Sequence, residues 1–283
     1  MPALTDTCVS QLQRQFGERL LALGDGPQAI REAGSGEAIV LLHGIGSGAA
    51  SWLQVALGLR QRARVIAWDA PGYGQSAPLP MASPRAGDYA ARLASLLDAL
   101  ALERCVLVGH SLGAMTAAAF AQRHPERVSE LVLLSPARGY GARPEQACEV
   151  RDKRLHDLAT LGVERIARMR SANLVSANAS DSALAWVRWN MARLQPAGYR
   201  QAIELLCGDD LLRYRELQVP CQVHCGSADS ITTADDCRAL AQAFGAPFRL
   251  IHGAGHACAI EQPETVTGRL ARALDASFTG SVQ

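Results

Sequence analysis

The sequence predicts an α/β fold, a mostly parallel sheet covered by helices on both faces and interrupted by one long helical insertion. Three observations predict it. Apolar runs of strand length alternate with segments of helical periodicity, the pattern of successive βα units. The first four runs, 38–42, 65–68, 105–108 and 131–134, are apolar throughout rather than every second residue, as strands buried on both faces are. From 138 to 217 the alternation stops, and no strand-like run occurs.

Taken in order, 38–42 (AIVLL) reads as a buried strand running into His43-Gly44, and 65–68 (VIAW) as a second that ends at Asp69. A third, 105–108 (CVLV), stops at Gly109; 131–134 (LVLL), 222–225 and 248–251 (FRLI) follow. Between them Tyr89, Leu93, Leu96, Leu97 and Leu100 recur at helical spacing, and 233–244 and 264–274 behave alike. The insertion is punctuated by Pro144, Gly162, the Ser-Ala-Asn stretches near 171–182, and Pro196-Ala197-Gly198. This divides the chain into a core of 1–137 and 218–283 and a helical cap of 138–217. A length of 283 residues, 48% hydrophobic, suffices for one such domain with an insertion.

A formal net charge of +1, with no basic stripe or acidic tail, favours neither nucleic acid nor a membrane surface as partner. The apolar stretch 20–23 is too short for a signal peptide or a span, so the expected compartment is the cytoplasm, with the eight cysteines reduced. Cys221 and Cys225 share one strand face with His224 on the other, and no second pair completes a metal site; neither metal nor cofactor is expected. Oligomeric state is not readable.

The chemistry is carried first by Gly109-His110-Ser111-Leu112-Gly113, after a buried strand and before a helix rich in alanine. This is the context a G-x-S-x-G nucleophile elbow needs. The serine must sit on a sharp turn, and glycines two before and two after remove the Cβ atoms that would collide across it. The helix start beyond offers free N–H groups to a developing oxyanion. His43-Gly44-Ile45-Gly46-Ser47-Gly48 follows the first buried strand and can place the Ile45 N–H beside that of Leu112 as a two-donor oxyanion hole. A phosphate-binding loop would need Gly-Lys-Ser/Thr, which is absent.

A base and a group to orient it are still required. Asp229 lies three residues past Gly226 at the end of one strand, and His256 lies in the loop after the last, in the order Ser, Asp, His. In a parallel sheet these loops share one edge. The competing acids Asp235 and Asp236 start a helix, where capping accounts for them. His110 is expected to pack beside the elbow and His43 to brace the oxyanion loop. The turn from Asp69 to Ser76 is expected to fix the sheet edge next to that loop.

With these residues in place, the sequence resembles the α/β-hydrolase superfamily over nearly the whole chain outside the cap. The resemblance implies a central sheet of about eight strands and a helical cap after the sixth. Gln195-Pro196-Ala197-Gly198-Tyr199 and Glu261-Gln262-Pro263-Glu264 look like the 3-oxoadipate enol-lactonase and small-ester hydrolase branch. Enzymes that split carbon–carbon bonds of meta-cleavage products share the triad, but usually carry Trp after the histidine, where this chain has Ala257. A non-catalytic binding protein on the same scaffold is the reading from another class.

The expected activity is hydrolysis of a small carboxylic ester or lactone through an acyl-enzyme on Ser111. Trp52, Met115, Trp186, Trp189 and Met191 are candidate lining residues, and Arg138 is a candidate to pair with a substrate carboxylate.

Overall fold

The structure, a computed structural model, describes residues 2–279. Eight strands form one sheet in the order β1-β2-β4-β3-β5-β6-β7-β8. They are β1 (Glu18–Leu23), β2 (Gly26–Ala33), β3 (Ala38–Leu42), β4 (Arg64–Trp68), β5 (Cys105–His110), β6 (Val128–Leu134), β7 (Cys221–Gly226) and β8 (Phe248–Ile251). From β4 to β8 every neighbouring pair is parallel; β1 and β2 join antiparallel at one edge.

Each buried run divides its side chains between two cores. Val40 and Leu42 of β3 face a layer that includes α3 (Ala86–Ala99), α4 (Leu112–Arg123) and α8 (Ala234–Ala243). Ile39 and Leu41 face the other, built on α1 (Pro2–Gln15), α2 (Leu53–Leu59) and α10 (Pro263–Thr279), the last preceded by the short α9 (Cys258–Glu261). All five residues of β3 are buried, which is why the strand is apolar without alternation.

Between β6 and β7 the chain holds α5 (Pro144–Arg170), α6 (Asp181–Met191) and α7 (Pro196–Gly208), and no strand. The helical character expected of 138–217 is therefore observed. The sequence reading omitted β1 and β2. At the sheet edge β1 is exposed or half-buried along its length, so burial imposes no apolar run on it.

Candidate active site

Because β3, β5, β7 and β8 run parallel, the loops that follow them open on one rim of the sheet. They bring Gly44 to Gly46, Ser111, Asp229 and His256 together, although 145 residues separate Ser111 from His256.

Ser111 sits between β5 and α4 with φ 53° and ψ −117°, a left-handed conformation that costs a non-glycine residue about 1–3 kcal/mol. The fold holds it there through its backbone. The Ser111 N–H donates to the Leu134 carbonyl at 3.0 Å, and its carbonyl accepts from Ala137 N–H at 3.1 Å. The flanking glycines are required by space. A Cβ on Gly109 would lie 2.6 Å from Ala114 Cα, and one on Gly113 2.5 Å from the Leu42 carbonyl oxygen.

His256 Nε2 lies 2.9 Å from Ser111 Oγ, and His256 Nδ1 lies 2.9 Å from Asp229 Oδ2. All three residues are buried. Asp229 Oδ1 accepts the amides of Ile231 at 2.8 Å and Thr232 at 3.0 Å, while the Thr232 hydroxyl stands 2.9 Å from Oδ2 and 3.2 Å from His256 Nδ1. Burial opposes the carboxylate charge, but the hydrogen bonds and charge of His256, with the Thr232 amide, outweigh it and hold the Asp229 pKa down at about 2. An ionised Asp229 orients Nδ1–H toward itself, leaving Nε2 bare toward the serine hydroxyl.

The loop after β3 is braced from below. Ala70 N–H donates to His43 Nε2 at 3.0 Å, so His43 carries its proton on Nδ1 and donates to the Gly44 carbonyl at 2.9 Å. Burial lowers the His43 pKa and keeps the ring neutral in that tautomer. Tyr73 Oη donates to the Ile45 carbonyl at 2.9 Å, and Asp69 Oδ1 accepts the Ala49 amide at 2.8 Å. These contacts match the bracing expected of His43 and of the 69–76 turn. With their carbonyls engaged, Gly44 and Ile45 leave the Ile45 amide without a backbone partner among the described residues, like that of Leu112; both residues line the cavity beside Ser111. A Cβ on Gly44 would come within 2.9 Å of Ser111 Cβ, so only glycine lets the loop approach this closely.

His110 packs beside the elbow as expected. Its Nε2–H donates to the His256 carbonyl at 2.8 Å, and burial together with the His256 ring lowers its pKa to about 3. A neutral ring there adds no charge next to Ser111.

The cavity above Ser111 has a volume of about 380 Å³, enough for a small molecule. Of the expected lining residues, Trp52, Arg138 and Met191 reach its wall. Met115, Trp186 and Trp189 do not, which corrects that expectation. Met115 packs beneath Gly139, where its Cε would stand 2.7 Å from an added Cβ. Trp186 and Trp189 stack at 4.6 Å on one side of α6, with Arg193 over Trp189 at 4.4 Å. Met191, two residues beyond Trp189, falls on nearly the opposite side of the helix. Arg138 is engaged: its Nε lies 3.1 Å from Asp210 Oδ2, a buried carboxylate.

Two contributors were not singled out from sequence. Thr232 is anonymous there, a threonine three residues past the acid. Glu261 was noted only within a four-residue motif. Its carboxylate accepts the Gly255 amide at 2.8 Å and the Ser176 amide at 2.9 Å, while Ala257 N–H donates to the Leu174 carbonyl at 2.7 Å. The residues on either side of His256 are therefore tied down, partly to the 171–176 segment. Glu261→Gln supplies an N–H where an acceptor is needed and leaves one of these amides unsatisfied, at about 1–3 kcal/mol. We expect a melting temperature lower by about 2–6 °C in a thermal scan. Labelling of Ser111 by a fluorophosphonate should slow roughly threefold to tenfold, because the imidazole is held less well.

A family profile described as alpha/beta hydrolase fold matches residues 37–263. Among solved structures, a thermophilic esterase from Thermogutta terrifontis superposes with a TM-score of 0.82 at 25% identity, over 92% of this chain and 98% of that one. The enol-lactonase from Burkholderia xenovorans LB400 superposes with a TM-score of 0.80 at 24% identity, over 91% of this chain and 100% of that one, a likeness of fold. A 2-hydroxy-6-oxo-6-phenylhexa-2,4-dienoate hydrolase from Comamonas testosteroni is 40% identical over 115 residues, which make up 39% of this chain. The chain spans less than half the length of the curated relatives it matches, 40% of that protein and 31% of one from Mycobacterium tuberculosis. No helix among the described residues is long and apolar enough to cross a membrane.

Proposed function

The chain belongs to the α/β-hydrolase family, and from that premise we propose that it is a serine hydrolase cleaving small carboxylic esters or lactones. In this reading Ser111 is the nucleophile, His256 the base and Asp229 the group that orients it. The cap of 138–217 closes the cavity from above. The observation that carries the reading is the unbroken relay of two 2.9 Å contacts, from Asp229 through His256 to Ser111, opening into a cavity of small-molecule size.

His256 Nε2 takes the Ser111 proton as Oγ attacks the acyl carbon, and the imidazolium that forms is stabilised by the Asp229 carboxylate. The amides of Ile45 and Leu112 receive the oxyanion of the tetrahedral intermediate. Collapse expels the alcohol, which takes the proton back from His256. Water, deprotonated by His256, then attacks the acyl-enzyme and releases the acid and the serine.

A second reading has a specific observation behind it, the 40% identity to a dienoate hydrolase over 115 residues. Carbon–carbon cleavage of a dienoate ketone would use the same residues. A panel of short p-nitrophenyl esters, enol-lactones and dienoate ketones separates the two. The ester reading requires turnover of esters or lactones well above that of the ketones. Rapid loss of ketone absorbance, with esters hydrolysed only slowly, replaces it by the second.

A further inference from the structure

The cavity wall carries four arginines, Arg138, Arg143, Arg154 and Arg170, against one carboxylate among the described residues, Asp236. That carboxylate is exposed, and its Oδ2 accepts the Thr233 hydroxyl at 2.7 Å. Two of the arginines are occupied. Arg138 pairs with Asp210, and Arg143 donates to the Gly139 carbonyl at 2.7 Å with its guanidinium over the Tyr140 ring at 4.8 Å.

The other two, like Arg143, have no carboxylate partner among the described residues, and they are held by less. Arg154 donates to a neutral acceptor, the Tyr199 hydroxyl, at 3.2 Å. The Arg170 side chain has no hydrogen bond or ion pair to a described residue. Both are half-buried, and Asp157, the acid of α5 whose charge reaches Arg170, is shared with Lys153 at 3.3 Å. Two half-buried guanidinium groups on the wall of one cavity, neither paired with a carboxylate, favour the entry of a negatively charged group. Burial and the Arg154 charge accordingly draw the Arg170 pKa down.

The backbone is bent to make this pair. Arg154 and Arg170 are sixteen residues apart on α5, a separation of about 24 Å on a straight helix. Gly162, midway between them, breaks the helix with φ 70° and ψ 167°. A Cβ at that position would touch nothing within 4 Å, so glycine is needed there for its conformation and not for space. The break turns the second half of α5 so that both arginines face the one cavity that Ser111 opens into.

We propose that Arg154 and Arg170 form an anion subsite that receives a carboxylate of the substrate, so that the substrate class is a carboxylate-bearing ester or lactone. The choice of ester or lactone rests on the Ser111 reading above; the binding of the carboxylate does not. A planar guanidinium suits a carboxylate better than a point charge would, because it donates two parallel hydrogen bonds.

The test compares mono-p-nitrophenyl esters of glutaric, adipic and suberic acids with p-nitrophenyl esters of straight-chain monocarboxylic acids of equal carbon number. Acetyl esters of 4-hydroxybutyrate and of 1-butanol ask the same of a carboxylate on the leaving group. On one arm the wild-type chain should prefer the acidic ester by about tenfold to a hundredfold in kcat/KM, the worth of one or two charge-assisted bonds. Arg154→Gln and Arg170→Gln should each cut the acidic-to-neutral ratio at least fivefold, and Arg170→Lys should keep more of it than Arg170→Gln. Taking the ratio within each variant separates lost recognition from lost folding. A ratio near one on both arms, or a preference that survives both glutamine substitutions, overturns the proposal and leaves the Ser111 chemistry standing. If no ester is turned over, the Ser111 reading fails, and calorimetric titration with adipate decides the subsite. Heat of binding that the glutamine variants lose supports it; no binding, or equal binding by the variants, overturns it.

Discussion

Ser111→Ala should lower kcat for ester hydrolysis by about 10⁴-fold or more while the protein stays folded. The two halves of this expectation come from different atoms. Oγ is the group that His256 Nε2 reaches at 2.9 Å, and no other hydroxyl is recorded at hydrogen-bond distance from that nitrogen among the described residues. The sharp turn, in contrast, is held by the Ser111 N–H to Leu134 and by the Ser111 carbonyl to Ala137, bonds that alanine keeps. Serine and alanine pay the same strain at φ 53°. The melting temperature should therefore stay within about 2 °C of the wild type, since the change removes one buried hydroxyl and no backbone contact. Adding His256→Ala to Ser111→Ala should cost little more than either change alone, because the residues act as a unit. A double variant slower than Ser111→Ala by a further factor of a thousand would mean that His256 works through some other nucleophile.

Asp229→Asn should cost about 10³- to 10⁴-fold at neutral pH, and the reason is geometric. Asp229 Oδ1 is pinned by the amides of Ile231 and Thr232, which are donors and need an oxygen. An asparagine must keep its carbonyl there and so turns its NH₂ toward His256. The imidazole can accept from that NH₂ only with Nδ1 bare, which moves its proton to Nε2 and points N–H at Ser111, the wrong tautomer for a base. The same substitution should change acid stability. The folded pKa of about 2 lies below the ordinary value of 3.8, so the fold favours the ionised form. Its contribution is complete above about pH 4 and is lost as pH falls toward 2. Acid unfolding monitored by circular dichroism should thus be shallower across that window in Asp229→Asn than in wild type.

The site was legible where local backbone demands leave marks in the sequence. Ser111 is flanked by Gly109 and Gly113 because Cβ atoms there would strike Ala114 and the Leu42 carbonyl. Asp229 and His256 each follow a strand by a few residues, so the strand ends announce them. The helical insertion was legible as a gap in strand-like runs. What α6 presents to the cavity was not, since Trp186, Trp189 and Met191 are alike in hydrophobicity and differ only in azimuth around the helix. That Arg154 and Arg170 line the same cavity was hidden for a similar reason: it depends on the bend at Gly162, and an isolated glycine in a helical pattern does not disclose its angle. β1 escaped because an exposed edge strand needs no apolar signature. Arg138 was visible as a free arginine only because its partner, Asp210, lies 72 residues away in sequence.

The most direct test of the relay is to treat the protein with a fluorophosphonate and map the adduct by peptide mass spectrometry. The account predicts one adduct, on Ser111, formed in step with loss of ester hydrolysis and slowed at least a hundredfold in His256→Ala. An adduct on another residue, or ester hydrolysis that continues unimpaired once Ser111 is fully modified, would contradict it.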